Sequence, residues 1–145
     1  WRDYIWLLLH GLRKLPAVPL DTHVYRGMKA CLSDLGDAYV INSEFQWAGF
    51  SSTSLHIGVM QSEDFLGRSG SRVLFNLKLI EPVGRDISDF SFYREAEILL
   101  PPNMMFVVKS VLDAGSDLHI LQCEQSESLD MLLDFTRTLI LSIGT

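Results

Sequence analysis

Between residues 72 and 80 the chain alternates, placing Val73, Phe75, Leu77 and Leu79 on one side and Leu74, Asn76 and Lys78 on the other. Side chains two apart share one face of an extended chain, so this pattern specifies a strand with one face turned to a core. Shorter runs of the same kind surround it. Residues 22–27, 44–50, 95–100, 104–112 and 118–125 read as strands, separated by Gly, Pro, Asp and Ser clusters such as Pro101-Pro102 and Asp113-Ala114-Gly115-Ser116-Asp117. Helical spacing takes over at the two ends. Residues 1–15 carry Trp1, Ile5, Leu8, Leu9, Leu12 and Leu15 on one stripe, stopped by Pro16 and Pro19. Residues 128–143 carry Leu129, Leu132, Leu133, Leu139, Ile140 and Ile143 on another.

Between these elements, residues 28–43 read as a short helix and loop. Ser54 is placed to cap a small helix over 57–66, and 67–71 and 81–94 read as loops. Strands between flanking helices specify an α+β domain in which two mostly antiparallel sheets pack on each other and on the helices.

The 145 residues, 48% of them hydrophobic, fit one domain over 1–145 that can bury a core without a metal or disulfide staple. The net charge of −6 repels polyphosphate, which argues against nucleic acid as partner and favours a basic protein surface. Cys31 and Cys123 are in no metal-ligand spacing and are expected to be free thiols. His10, His23, His56 and His119 are scattered, so no metal site is expected. No apolar run approaches the roughly 18 residues of a membrane span. The chain opens on Trp1 rather than Met, as expected of a domain excised from a longer protein. Trp1, Trp6 and Trp47 read as core or pocket-wall residues.

Three segments carry chemistry: Val24-Tyr25-Arg26-Gly27, Phe50-Ser51-Ser52-Thr53-Ser54, and Glu95-Ala96-Glu97 followed by an apolar stretch and two prolines. Each alone has a plain structural reading: a surface arginine, a turn or helix cap, a solvated strand face. In this order, with Arg26 preceding Ser52 by 26 residues and Ser52 preceding Glu95 by 43, they form a pattern. A guanidinium makes bidentate, charge-assisted hydrogen bonds to phosphate oxygens, which suits Arg26 to a phosphate. Gly27 lets backbone approach a ligand closely. Ser52 is short and both donates and accepts. Glu95 and Glu97, two apart on a strand, turn both carboxylates to one face.

The sequence resembles the ADP-ribosyltransferases whose signature is Arg, then Ser-Thr-Ser, then Glu-x-Glu, a family of binary toxins, injected effectors and vertebrate ecto-enzymes. The resemblance runs from about Leu20 to Val108, and Trp47-Ala48-Gly49-Phe50 shares it. It implies the ADP-ribosyltransferase-like fold, NAD as co-substrate, and mono-ADP-ribosylation of an arginine on a target protein. It also implies residue roles. Arg26 holds a phosphate and the Gly27 backbone the nicotinamide carboxamide. Ser52 orients Glu97 and helps hold the nicotinamide ribose. Glu97 binds the ribose 2′-hydroxyl and stabilises positive charge as the glycosidic bond breaks. Glu95 positions the incoming guanidinium and helps remove its proton. Phe92 and Tyr93 fall in the loop that meets the target. Phe65 and Arg68 have the spacing by which some members stack nicotinamide and grip phosphate. Thr53 and Ser54 are expected to shape the strand end and cap the next helix. An NAD glycohydrolase or a catalytically silent module on the same scaffold remain the alternatives.

Overall fold

The structure is a computed structural model, and it describes residues 1–91 and 96–127. Helix α1 spans Arg2–Arg13. The stripe expected for it is buried only toward its C-terminal end, at Leu9 and Leu12, before Pro16 turns the chain. The chain is tied to the sheet just beyond the helix, where Ala17 bridges Arg85 and the Val18 N–H donates to the Gly84 carbonyl at 3.1 Å. Burial fades with distance from that tie. Trp1 is 94% exposed and Trp6 54%, so neither is the core or pocket-wall residue expected. Each makes its ring contact within the helix, Trp1 with Tyr4 and Trp6 with His10.

The strands are β1 His23–Met28, β2 Glu44–Trp47, β3 Ser51–Ser54, β4 Arg72–Lys78, β5 Arg85–Asp86, β6 Glu97–Leu100, β7 Met104–Asp113 and β8 Leu118–Ser126. They form one mixed sheet in the order β2-β7-β8-β4-β1-β3-β6-β5. Among the described residues only β4 and β8 run parallel. The α+β expectation holds, and the two expected sheets are two halves of this one. They meet between β1 and β3 at a single pair of partners, Tyr25↔Ser54. One core cluster draws on both halves: Val24, Phe75, Leu77, Phe106 and Leu121 from one side of the seam, Ile98 and Leu100 from the other. The β4 alternation is realised, since Val73, Phe75, Leu77 and Leu79 are all fully buried. Leu74, on the opposite face, joins a second small cluster with Met60 and Leu66.

Three local differences from expectation have physical causes. The strand expected over 44–50 ends at Trp47, and Ser51–Ser54 is a strand of its own, because its backbone pairs with β6. The helix expected over 57–66 is a five-residue 3-10 turn, Ile57–Gln61. Ser54 does not cap it. Its Oγ accepts from the His56 N–H at 3.1 Å and braces the corner leaving β3. The loop at 81–94 contains the two-residue strand β5, held by pairing with β6. The C-terminal helix expected over 128–143 lies outside the described residues.

Candidate active site

The antiparallel register that pairs Tyr25 with Ser54 would, if continued, oppose Gly27 and Ser52. That pairing is not made. The strands part there, and a cavity of about 370 Å³ opens between them. Tyr25, Arg26, Gly27, Phe50, Ser52, Phe65 and Glu97 are among its lining residues. All three sequence segments therefore reach one cavity.

On β3 and β6 alternation sorts the side chains. Ser51, Thr53, Ile98 and Leu100 are buried, and the Thr53 hydroxyl donates to the Ile98 carbonyl at 2.7 Å. Ser54 sits opposite Glu97 in the ladder, so Ser52, two residues earlier, is the diagonal neighbour of Glu97 on the same face. The Ser52 hydroxyl donates to Glu97 Oε1 at 2.5 Å, which fixes one carboxylate oxygen and leaves the other to the cavity. The expected pairing of Ser52 with Glu97 is thus present as a hydrogen bond.

Arg26 lies on the Val24 face of β1. Its guanidinium is half-buried, and its carbon lies 5.1 Å from the centre of the Trp47 ring. Burial pushes its pKa down, with the Tyr39 hydroxyl acting in the opposite sense. A guanidinium keeps its charge through such a shift. Among the described residues no hydrogen bond or ion pair holds it. A half-buried cation on a residue that lines a cavity, with no anion against it among the described residues, is suited to receive one.

Gly27 has a further reason to be glycine. A Cβ there would meet Leu66 Cγ at 2.5 Å, so the bare backbone lets the 57–66 segment close against β1 and wall the cavity. Phe65 faces the cavity with Val59 and Met60, whereas Arg68 opens on a neighbouring groove on the far side of Met60 and Leu66. The structure therefore separates the two members of that sequence pair. Phe92, Tyr93 and Glu95 lie outside the described residues. Sequence reasoning passed over Tyr25, Phe50 and Met60 as cavity walls, and it gave Trp47 no tie to Arg26. The period-2 pattern of β1 holds one signal, since it places Arg26 on the core side with Val24.

Cys31 and Cys123 are unpaired. Among the described residues no group of three or more His, Cys, Asp or Glu could hold a metal ion, and no helix is long and apolar enough to cross a membrane.

A family model described as NAD:arginine ADP-ribosyltransferase matches residues 2–128. Among solved structures the chain is similar to the Vis toxin, an ADP-ribosyltransferase from Vibrio splendidus. They share 26% identity at a TM-score of 0.68, over 90% of this chain and 59% of that one. A second structure of Vis, in complex with agmatine, aligns at a TM-score of 0.69 with 26% identity, over 90% of this chain and 60% of that one. The Salmonella SpvB domain shares the fold at 23% identity and a TM-score of 0.66, over 87% of this chain and 72% of that one. This chain thus spans less than two thirds of the length of Vis. A search of curated proteins gives no match. With its signature segments gathered on one cavity and the family match running over residues 2–128, the chain belongs to the NAD:arginine ADP-ribosyltransferase family.

Proposed function

We propose that the chain transfers ADP-ribose from NAD to an arginine side chain of a target protein and releases nicotinamide. One observation carries this reading: Ser52 and Glu97, joined by a hydrogen bond, line the same cavity as Arg26, a cation with no anion against it among the described residues. The cavity volume lies in the range of small-molecule sites, roughly 300–1,000 Å³. NAD brings to such a site a glycosidic bond whose leaving group, nicotinamide, departs neutral. Arg26 binds a phosphate, and the Gly27 backbone and Phe65 receive the nicotinamide end. Ser52 holds the Glu97 carboxylate toward the ribose, where it accepts the 2′-hydroxyl and faces the positive charge that develops as the bond breaks. Glu95 positions the acceptor guanidinium and takes the proton its nitrogen loses on bonding to the ribose carbon. Phe92 and Tyr93 meet the target. Arg68 opens on the neighbouring groove, so we give it no contact at the reacting bond. The agmatine complex of Vis, a small guanidine on a similar fold, supports a guanidine acceptor. The net charge of −6 favours a basic target surface.

The test is mass spectrometry of an arginine-rich acceptor incubated with NAD and the wild type, Glu95→Gln or Glu97→Gln. The wild type should leave an ADP-ribose adduct on arginine. Glu97→Gln should lower both transfer and NAD hydrolysis by at least about a hundredfold at unchanged melting temperature. Glu95→Gln should lose transfer and keep much of the hydrolysis. Near-native turnover in Glu97→Gln would defeat the mechanism, and free ADP-ribose without any adduct would make the domain a glycohydrolase.

A further inference from the structure

We propose that Trp47 is a positioning residue for Arg26: its ring holds the guanidinium at the cavity while leaving the N–H donors free for an anion. This rests on Arg26 being the phosphate-binding group.

The contact is not one that neighbouring strands make by default. Trp47 ends β2, the first strand in the sheet order, and Arg26 lies on β1, the fifth. They meet through the shared core, to which Val24 of β1 belongs and against which Trp47 packs. The separation of 5.1 Å between the guanidinium carbon and the ring centre is within the roughly 6 Å over which an aromatic face attracts a cation. The ring is itself held on several sides. It meets Phe75 edge-on at 5.2 Å and lies 5.5 Å from Phe106 and 5.6 Å from Phe45, and its N–H points to the Tyr39 hydroxyl at 3.4 Å. The backbone is fixed too, since the Trp47 carbonyl accepts from the Asn103 N–H at 2.8 Å.

The choice of partner matters for function. Burial works against the charged guanidinium, and a carboxylate would relieve that by neutralising it. A carboxylate would also occupy the N–H donors and cancel the field that draws in a phosphate. An aromatic face offsets part of the burial penalty and offers no lone pairs in the guanidinium plane. Trp47 is not itself a lining residue of the cavity, so any effect on ligand binding has to pass through Arg26 or another wall residue.

The experiment is calorimetry with NAD in the Glu97→Gln background, where turnover is suppressed. The variants are Trp47→Leu, Trp47→Phe, Arg26→Ala and the double variant Trp47→Leu/Arg26→Ala. Trp47→Leu should weaken NAD binding by about tenfold, and Trp47→Phe should restore most of it. With Arg26 already replaced, Trp47→Leu should bring no further loss. Phe45→Leu, in the same aromatic cluster, should lower the melting temperature and leave affinity within about twofold, which separates packing damage from positioning. If Trp47→Leu does not fold, fluorinated tryptophans in a Trp1→Phe/Trp6→Phe background weaken the ring face with little change of shape. NAD affinity should then fall stepwise with fluorine content, and only while Arg26 is present. Equal losses with and without Arg26, or an affinity indifferent to fluorination, would overturn the positioning role alone. If Arg26→Ala left NAD affinity unchanged, the phosphate role would fall and the positioning role with it.

Discussion

At the scale of single residues, Ser52 and Glu97 are joined across β3 and β6 by one short hydrogen bond. Ser52 is exposed, so replacing it disturbs no core packing. Its hydroxyl is the donor that holds Glu97 Oε1. A hydrogen bond to a charged group contributes about 1.5–3 kcal/mol, so Ser52→Ala should lower kcat by about ten- to a hundredfold. KM for NAD should change far less, and thermal stability should stay within about 0.5 kcal/mol of the wild type. Steady-state kinetics of NAD hydrolysis check this, and a loss confined to KM would mean that Ser52 binds substrate rather than holding Glu97. That Arg26, Ser52 and Glu97 come together was legible in the sequence, because each sits in a recognisable short segment and all three line one cavity. Trp47 was legible only as an aromatic, because its tie to Arg26 joins residues 21 apart in the chain, on strands four places apart in the sheet. Arg68 shows the converse. Three residues after Phe65 it has the right spacing, but the 3-10 turn stops at Gln61 where a helix to 66 was expected, and Arg68 lines another groove.

Among the elements, legibility followed length and pattern. The seven residues of β4 repeat the period-2 signal several times over, and the burial of Val73, Phe75, Leu77 and Leu79 was readable from it. β5 has two residues, too few to carry any period, and exists because β6 offers it an edge. The α1 stripe was readable, whereas the point at which burial stops was not, since that depends on where the chain is tied to the sheet. The 57–66 segment matters most for the site, because it walls the cavity by closing Leu66 onto Gly27. Gly27→Ala should force Leu66 aside and destabilise the domain by about 1–3 kcal/mol, the usual range for overpacking. NAD affinity should fall with it, because Phe65 next to Leu66 moves off the cavity. Leu66→Ala removes the clashing atoms, so the double variant should be less destabilised than the two single losses added together. Urea melts of the four proteins measure this coupling, and strict additivity would show that Gly27 is required for some reason other than Leu66.

For the whole molecule, the two halves of the sheet meet at one backbone pair and are held together mainly by the core they share. That arrangement lets β1 and β3 part and open the cavity without separating the halves. It also makes global stability sensitive to anything that would place charge inside the core. Cys123 on β8 is such a group. It is 3% exposed, and burial pushes its thiol up to about 12 from an ordinary value of 9.0. The neutral thiol is what the folded core accepts. The unfolded chain can ionise it once the pH passes 9.0, while the folded chain keeps the proton until about 12. The contribution of this group to stability is therefore complete below pH 9.0 and is lost progressively as pH rises through that window. The slope can reach about 1.4 kcal/mol per pH unit. Tyrosines and lysines also titrate in this range, so the informative quantity is a difference. Cys123→Ala lacks the thiol and should be less stable than the wild type at pH 8, because it leaves a small void. Above pH 9.0 the gap in urea-unfolding free energy between the two should narrow, as the wild type alone loses the thiol contribution. Parallel curves from pH 8 to 11 would mean that the thiol does not stay neutral in the fold. Cys31, partly exposed and hydrogen-bonded to Ser33, provides the internal comparison: a thiol reagent at pH 8 should modify Cys31 in the folded domain and reach Cys123 only on unfolding.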